Sequence, residues 1–321
     1  MRKGRKGICL LAVTALVFFV CGCTQGGENR KSYVAVITKS TSSAFWKTVY
    51  AGADAAATEY NLSLTLTGPE KEEDYERQNQ LVREAMDNGA EVIVFSAVDY
   101  NANSQVINEA AQRGIKIVVI DSDVNSDQVS CRIGTDNVEA GRQAAQAALH
   151  TDEEELYVGI VNYDVNSANG QQREQGFREI MEESPRVKEI TTINVVSTTE
   201  DAREGTRELI KENPQINVIV TFNEWTSLGV GWAIRDLEVK DAIHVVAFDS
   251  NTVSVGMLET GEVDALIVQN PYAMGYLGVE AASILASGNN VQESDVDTSV
   301  KIVTRENMFE PECQKMLFFF D

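Results

Sequence analysis

Histidine is nearly absent from this 321-residue chain: His150 and His244 are the only two, and no Cys/His group has the spacing of metal ligands. Catalytic zinc is therefore excluded as a basis for activity. Cysteine is scarce and lopsided, with Cys9, Cys21 and Cys23 crowded at the start and only Cys131 and Cys313 beyond. Two cysteines so far apart make no disulfide framework, and their pairing stays open. Positive charge is also short, with 27 Lys+Arg against 49 Asp+Glu and a net charge of -22. Such a surface repels phosphate backbones, which sets nucleic acid aside as a partner. Neither a GxGxxG nor a GxxxxGK[ST] stretch occurs, so no glycine-rich phosphate cradle is present, and no D-x-[DN]-x-[DN]-G-x5-E loop announces calcium.

The apolar run Ile8 to Val20 follows Arg2, Lys3, Arg5 and Lys6 and ends in Val20-Cys21-Gly22-Cys23. Thirteen helical residues rise only about 20 Å, short of the roughly 30 Å hydrocarbon core, so the run reads as an export signal rather than a span. Small residues before a cysteine resemble the lipobox of bacterial lipoproteins. That resemblance implies cleavage after Gly22, lipidation of Cys23 and a short polar tether over 23–31. Two or more acyl chains, at about 0.8 kcal/mol per buried CH2, hold a domain durably on a bilayer. Removing residues 1–22 takes four basic and no acidic side chains, leaving a net charge near -26.

From Tyr33 the chain cycles between short apolar runs and longer amphipathic stretches. Strands are expected at 33–38, 62–67, 91–96, 115–120, 157–162, 190–196, 216–222, 243–248 and 264–268. Helices are expected at 44–60, 73–88, 102–112, 138–149, 170–182, 201–212, 225–236, 252–259 and 273–287. Near-continuous Val/Ile strands alternating with helices are the pattern of parallel sheets covered on both faces, so the fold class is α/β. The cycle runs twice, strands 33–120 and then 157–248, with 129–137 as the join. Two similar doubly wound lobes follow, with a ligand between them.

Ligands of open parallel sheets bind at the carboxyl ends of strands. The residues just past the expected strands include Ser43, Phe45 and Trp46; Asp99; Asp121 and Ser122; Arg173; Asn223 and Trp225; Asp249; and Gln269. They offer carboxylates, amides, a guanidinium and aromatics, but no nucleophile beside a base. Carboxylates and amides pair with vicinal hydroxyls, Arg donates in a fixed fork, and a flat ring covers the C–H face of a sugar. The inventory fits a polyol bound without chemistry. Each residue also has a plainer use: Phe45 and Trp46 as core packing, Asp121 and Asp249 as caps, Arg173 in a surface pair with Glu174, and Trp225 as a contact between lobes.

The segments SSAFW (42–46), EVIVFSAVD (91–99), GIKIVVIDSD (114–123), GTDNVEAG (134–141), REQGF (173–177), TFNEWTSLG (221–229), VVAFDS (245–250) and VQNPYAMGYLGVEAA (268–282) together resemble the type I periplasmic sugar-binding proteins. The resemblance implies two parallel-sheet lobes on a three-crossover hinge, with crossings near Asp136-Asn137, Gln269-Asn270 and Asp297 to Val300. The lobes are expected as 32–136 plus 270–297 and 137–269 plus 298–321. It implies Phe45 and Trp46 as ring walls, Asp121 as the hydroxyl-gripping carboxylate, Arg173 as the second lobe's guanidinium, and Asn223, Asp249 and Gln269 as further contacts. Ser122 stands where ribose binders commonly carry Arg, and Asn223-Glu224 replaces their Asn-Asp, so ribose itself is not implied. The implied role is a lipid-anchored, extracytoplasmic binding protein that needs no cofactor and no metal. It would deliver a monosaccharide to an ABC importer's permease, with a sensory variant reporting occupancy to a membrane receptor ectodomain as the alternative.

Overall fold

The computed structural model describes residues 31–318. The export signal, Cys23 and the tether up to residue 30 lie outside the described residues, as do 319–321. In chain order the elements are β1 (Tyr33–Ile37), α1 (Ala44–Glu59), β2 (Ser63–Thr67), α2 (Tyr75–Asp87), β3 (Val92–Phe95), α3 (Ser104–Gln112), β4 (Lys116–Ile120) and β5 (Val129–Gly134). Then come α4 (Asn137–Ala148), β6 (Leu156–Asn162), α5 (Ala168–Met181), β7 (Val187–Asn194), α6 (Thr199–Glu212), β8 (Val218–Thr221), α7 (Glu224–Leu237), β9 (His244–Phe248) and α8 (Thr252–Thr260). The chain closes with β10 (Ala265–Val268), α9 (Pro271–Ala286), β11 (Asp295–Asp297), β12 (Lys301–Thr304) and α10 (Pro311–Leu317).

Two six-stranded sheets result, ordered β11-β5-β4-β3-β1-β2 and β12-β10-β9-β8-β6-β7. Pairing is parallel throughout except between β10 and β12. The central strands are buried on both faces because their side chains alternate between two cores. In the first lobe Val34, Val92, Val94, Val118 and Ile120 pack under α1 and α9, while Ile37, Ile93, Phe95, Ile117 and Val119 pack under α2 and α3. In the second, Val158, Ile160, Val218 and Val246 meet α4 and α5, while Val161, Ile219, Val245 and Leu266 meet α6, α7 and α8. Each such side chain contributes about 1.5–3 kcal/mol relative to exposure, which is why these strands read as unbroken apolar runs.

β12 falls where the resemblance implies a final strand returning to the second lobe, at 301–304 (KIVT), and three other elements lie beyond the sequence expectations. β5 occupies the expected join, because its pattern VSCRIG is only half buried and lacks an aliphatic run. β11 is three residues of Asp-Val-Asp, and α10 is a single seven-residue helix. Cys131 and Cys313 are free, buried thiols in the cores of different lobes.

The chain passes between sheets from β5 to α4, from β10 to α9 and from β11 to β12. Hydrogen bonds tie these passages together: Thr135 Oγ1 donates to Gln269 Oε1 (2.9 Å), and Asp297 Oδ1 accepts from the backbone N–H of Asp136 (3.2 Å) and Ser299 (2.9 Å).

Glycine sets the depth at which the helices next to the cleft pack. A Cβ on Gly141 of α4 would lie 2.1 Å from the Arg173 carbonyl oxygen on α5, and one on Gly176 of α5 would lie 1.9 Å from that of Val138. The same reciprocal approach joins α1 and α9, where Gly52 faces Tyr272 O at 2.1 Å and Gly275 faces Val49 O at 1.9 Å. No side chain fits at such separations, so the helix pairs lie closer than any substituted residue allows.

Candidate functional site

The carboxyl ends of both sheets face each other across a narrow cavity of about 30 Å³. That is room for a water or two, well below the ~300–1,000 Å³ of small-molecule sites, so the lobes lie close together here. Its wall comprises Lys39, Ser43, Phe45, Trp46, Glu72 and Asp121 from the first lobe. The second lobe adds Tyr163, Asn169, Arg173, Asn223, Glu224, Trp225, Asp249 and Gln269.

Local folding rules place these groups. Ser43 is the N-cap of α1, its hydroxyl accepting from Trp46 N (3.2 Å), so Phe45 and Trp46 fall in the first turn at the cavity edge. Their rings meet edge to face at 4.9 Å and 87°. Both are largely buried, so they serve the core and the cavity together. Asn223 caps α7 in a reciprocal box with Thr226, which sets Glu224 and Trp225 at the helix start.

Asp121 and Asp249 end the equivalent strands β4 and β9, and both adopt left-handed backbone, with φ of 56° and 66°. That conformation is uncommon outside glycine, though Asp tolerates it better than most residues, and strained residues of this kind cluster at functional sites.

Arg173, with 1% exposure, organises the centre. Its Nε donates to Asn137 Oδ1 (2.8 Å), Nη1 to the Phe222 carbonyl (2.6 Å) and Nη2 to Gln269 Oε1 (2.7 Å). The guanidinium lies 4.8 Å from the centroid of the Phe248 ring and 3.9 Å from Asp121 Oδ1 across the cleft. Gln269 in turn donates to Asp249 Oδ1 (2.6 Å). Burial pushes the Asp249 carboxyl up to about 7, against the opposing pull of Arg173 and Gln269. Burial likewise raises Glu224 and the Tyr163 hydroxyl. Lys39 reaches over the Tyr163 ring, 5.2 Å from its centroid, to donate to Ser167 Oγ (2.6 Å).

Of the sequence-derived candidates, Ser43, Phe45, Trp46, Asp121, Arg173, Asn223, Trp225, Asp249 and Gln269 come together on this wall. Asp99 does not. Its Oδ1 accepts from the backbone of Asn101 (2.8 Å) and Ala102 (2.7 Å), shaping the turn before α3. Ser122 is also apart from the wall, buried beside Ser96, whose hydroxyl accepts from Ser122 N (3.3 Å). Arg173 makes no surface pair with Glu174, which instead accepts from Asn162 and Arg178.

Lys39, Glu72, Tyr163 and Asn169 join the wall without having been singled out, and so does Glu224, noted above only as a departure from the ribose binders. Tyr163 and Asn169 sit in the loop and first turn after β6, so scanning that loop residue by residue finds them. Glu72 comes from the loop after β2, whose tip carried no aromatic or amide cue.

The lining holds two cations and four carboxylates among amides and rings, which disfavours an anionic ligand and suits a neutral hydroxylated one. Among the described residues no group of three or more His, Cys, Asp or Glu is placed to hold a metal ion. Two parallel-sheet lobes enclosing such a cavity define a binding protein of the two-lobed, hinged class. The chain belongs to the periplasmic binding protein domain family, whose match spans residues 34–290.

It is similar to a carbohydrate transporter solute binding protein from Agrobacterium radiobacter, solved in complex with D-arabinose. That likeness has a TM-score of 0.87 and 28% identity, and it covers 90% of this chain and 99% of that one. A sugar transporter from Clostridium phytofermentans matches with a TM-score of 0.78 and 31% identity over 86% of this chain and all of that one. The D-allose-binding periplasmic protein of Escherichia coli (strain K12) is 23% identical over 254 residues, which is 77% of this chain and 82% of that protein.

Proposed function

We propose that this protein captures one neutral monosaccharide between its lobes and presents it, unaltered, to the permease of an ABC importer. The observation that carries the reading is the Arg173–Gln269–Asp249 chain of hydrogen bonds facing Asp121 across a cavity walled by Phe45 and Trp46. Fixed donors, two carboxylates and a ring face match the hydroxyls and C–H surface of a furanose or pyranose. The sugars bound by the similar proteins, a pentose and a hexose, support this class of ligand.

In this reading the lobes are 32–136 plus 270–297 and 137–269 plus 298–321, which the division of strands between the two sheets and the three passages of chain support. Ser43, Phe45, Trp46, Asp121, Arg173, Asn223, Trp225, Asp249 and Gln269 are the ligand contacts, while Asp99 and Ser122 support loops beneath them. Export and attachment through a lipidated Cys23 rest on the sequence pattern at 2–23. Cys23→Ser is expected to move the protein from the membrane fraction to the soluble one, as seen by fractionation and immunoblot.

Two of the chain's three tryptophans line the cavity, so binding should report in their emission. Titration with a panel of pentoses and hexoses is expected to change intrinsic fluorescence saturably for at least one sugar, and Trp46→Phe to reduce that change. Release of nitrophenol from nitrophenyl glycosides would contradict capture without chemistry.

A further inference from the structure

The carboxyl-terminal helix α10 belongs to neither sheet, yet it reaches the sugar cavity. Cys313 and Leu317 anchor it in the second lobe's core. Lys301 Nζ of β12 donates to Glu312 Oε2 (2.9 Å), and Gln314 Nε2 donates to the Met308 carbonyl (2.6 Å). Held this way, the last two residues of the helix, Met316 and Leu317, border a second recess of about 40 Å³. Phe45, Asp249 and Gln269 line both this recess and the cavity of the candidate site, so the two adjoin along those three side chains.

The recess is chemically mixed. Phe45, Pro271, Met316 and Leu317 give it hydrocarbon, while Asp249, Ser250 and Gln269 supply polar groups. Thr48 also borders it, but its hydroxyl donates within its own helix to the Ala44 carbonyl (2.9 Å). At about 10–15 Å³ for each water-sized group, the space takes two or three non-hydrogen atoms. A hydroxymethyl group has that size and that chemistry: a carbon to lie on the apolar side chains and a hydroxyl to pair with a carboxylate, a hydroxyl or an amide. A methyl group leaves those polar groups without a partner, and a carboxylate sets its charge against Asp249.

We infer that this recess receives the exocyclic hydroxymethyl group of a hexopyranose and that Met316 sets the size of the group admitted. Met316 is thereby a specificity-determining residue supplied by the carboxyl-terminal helix. The inference rests on the proposed reading of the cavity as a monosaccharide site and narrows the ligand from monosaccharides in general to hexoses.

Calorimetric titration with matched sugars tests it. D-Xylose, L-arabinose, D-lyxose and D-ribose are the pyranoses of D-glucose, D-galactose, D-mannose and D-allose without the exocyclic carbon. In the pair that binds, the hexose is expected to bind about tenfold or more tightly than its pentose, the scale on which one carbon is discriminated in a fitted pocket. Met316→Trp fills the recess and is expected to weaken the hexose by about tenfold while leaving the pentose within about twofold. Met316→Ala only removes atoms, so it serves if the larger side chain disturbs folding. It is expected to raise the affinity for the 6-O-methyl derivative of that hexose, relative to the hexose itself, by about tenfold. A pentose that binds as tightly as its hexose, equal weakening of both by Met316→Trp, or an unchanged 6-O-methyl ratio in Met316→Ala would overturn the inference and leave the sugar site standing. Binding of no sugar in any pair would overturn both.

Discussion

Asp249 is a carboxylate whose surroundings oppose its charge. Its folded-state acidity near 7 lies above the ordinary value of about 3.9, so the native state holds a proton that the unfolded chain has released between those two values. Stability from this group is therefore fully present in acid and is lost as the pH rises through about 7. Asp249→Asn should flatten the fall in melting temperature between pH 5 and 8 relative to the parent, measured by calorimetry without sugar; identical slopes would show that this carboxylate does not titrate in the window. Arg173 is also less separable from the fold than a sugar-contacting side chain at a strand tip would be. It holds Asn137, the Phe222 carbonyl and Gln269, so Arg173→Ala is expected to destabilise the protein by about 3 kcal/mol or more in denaturant melts. A surface pair with Glu174 would have predicted almost no change.

The helix pair α4–α5 carries the site's central cation on its contact line. Gly141→Ala must move α5 away from α4, because the added carbon would otherwise sit 2.1 Å from the Arg173 carbonyl. Overpacking of this kind costs about 1–3 kcal/mol. The expected outcome is a lower melting point together with weaker sugar binding by calorimetric titration, although residue 141 is not on the cavity wall. Loss of stability with unchanged affinity would show that the pair sets packing alone.

The same scale explains what the sequence made legible. Every central strand and the helices α1 to α9 were readable, because Val/Ile runs buried on two faces and capped amphipathic stretches leave period and boundary signals. β5, β11 and α10 left none: VSCRIG mixes polar and apolar positions, DVD is too short to have a period, and PECQKML is a single turn or two. At the site, side chains at strand ends were readable from position alone. Asp99 and Ser122 had the same positional signal, and only local hydrogen bonding separates them from Asp121. Glu72 reaches the cavity from a loop whose course depends on tertiary packing, which no periodicity encodes, whereas Tyr163 and Asn169 carried the positional signal of the segment after β6.

For the whole molecule, three passages of chain permit closure while keeping the tips of both sheets opposed. The central claim is that a neutral sugar is enclosed between Asp121 and the Arg173–Gln269–Asp249 group. A ligand that binds only the folded state stabilises it by about 2.7 kcal/mol at a concentration 100 times its Kd. The direct measurement is a thermal-shift screen of the chain from Glu28 onward against pentoses, hexoses, inositols and disaccharides, run in parallel on Asp121→Asn. At least one monosaccharide should raise the melting temperature of the parent by about 5 °C or more and leave the variant within about 1 °C of its sugar-free value. An equal shift in parent and variant, or no shift with any sugar of the panel, would contradict the account.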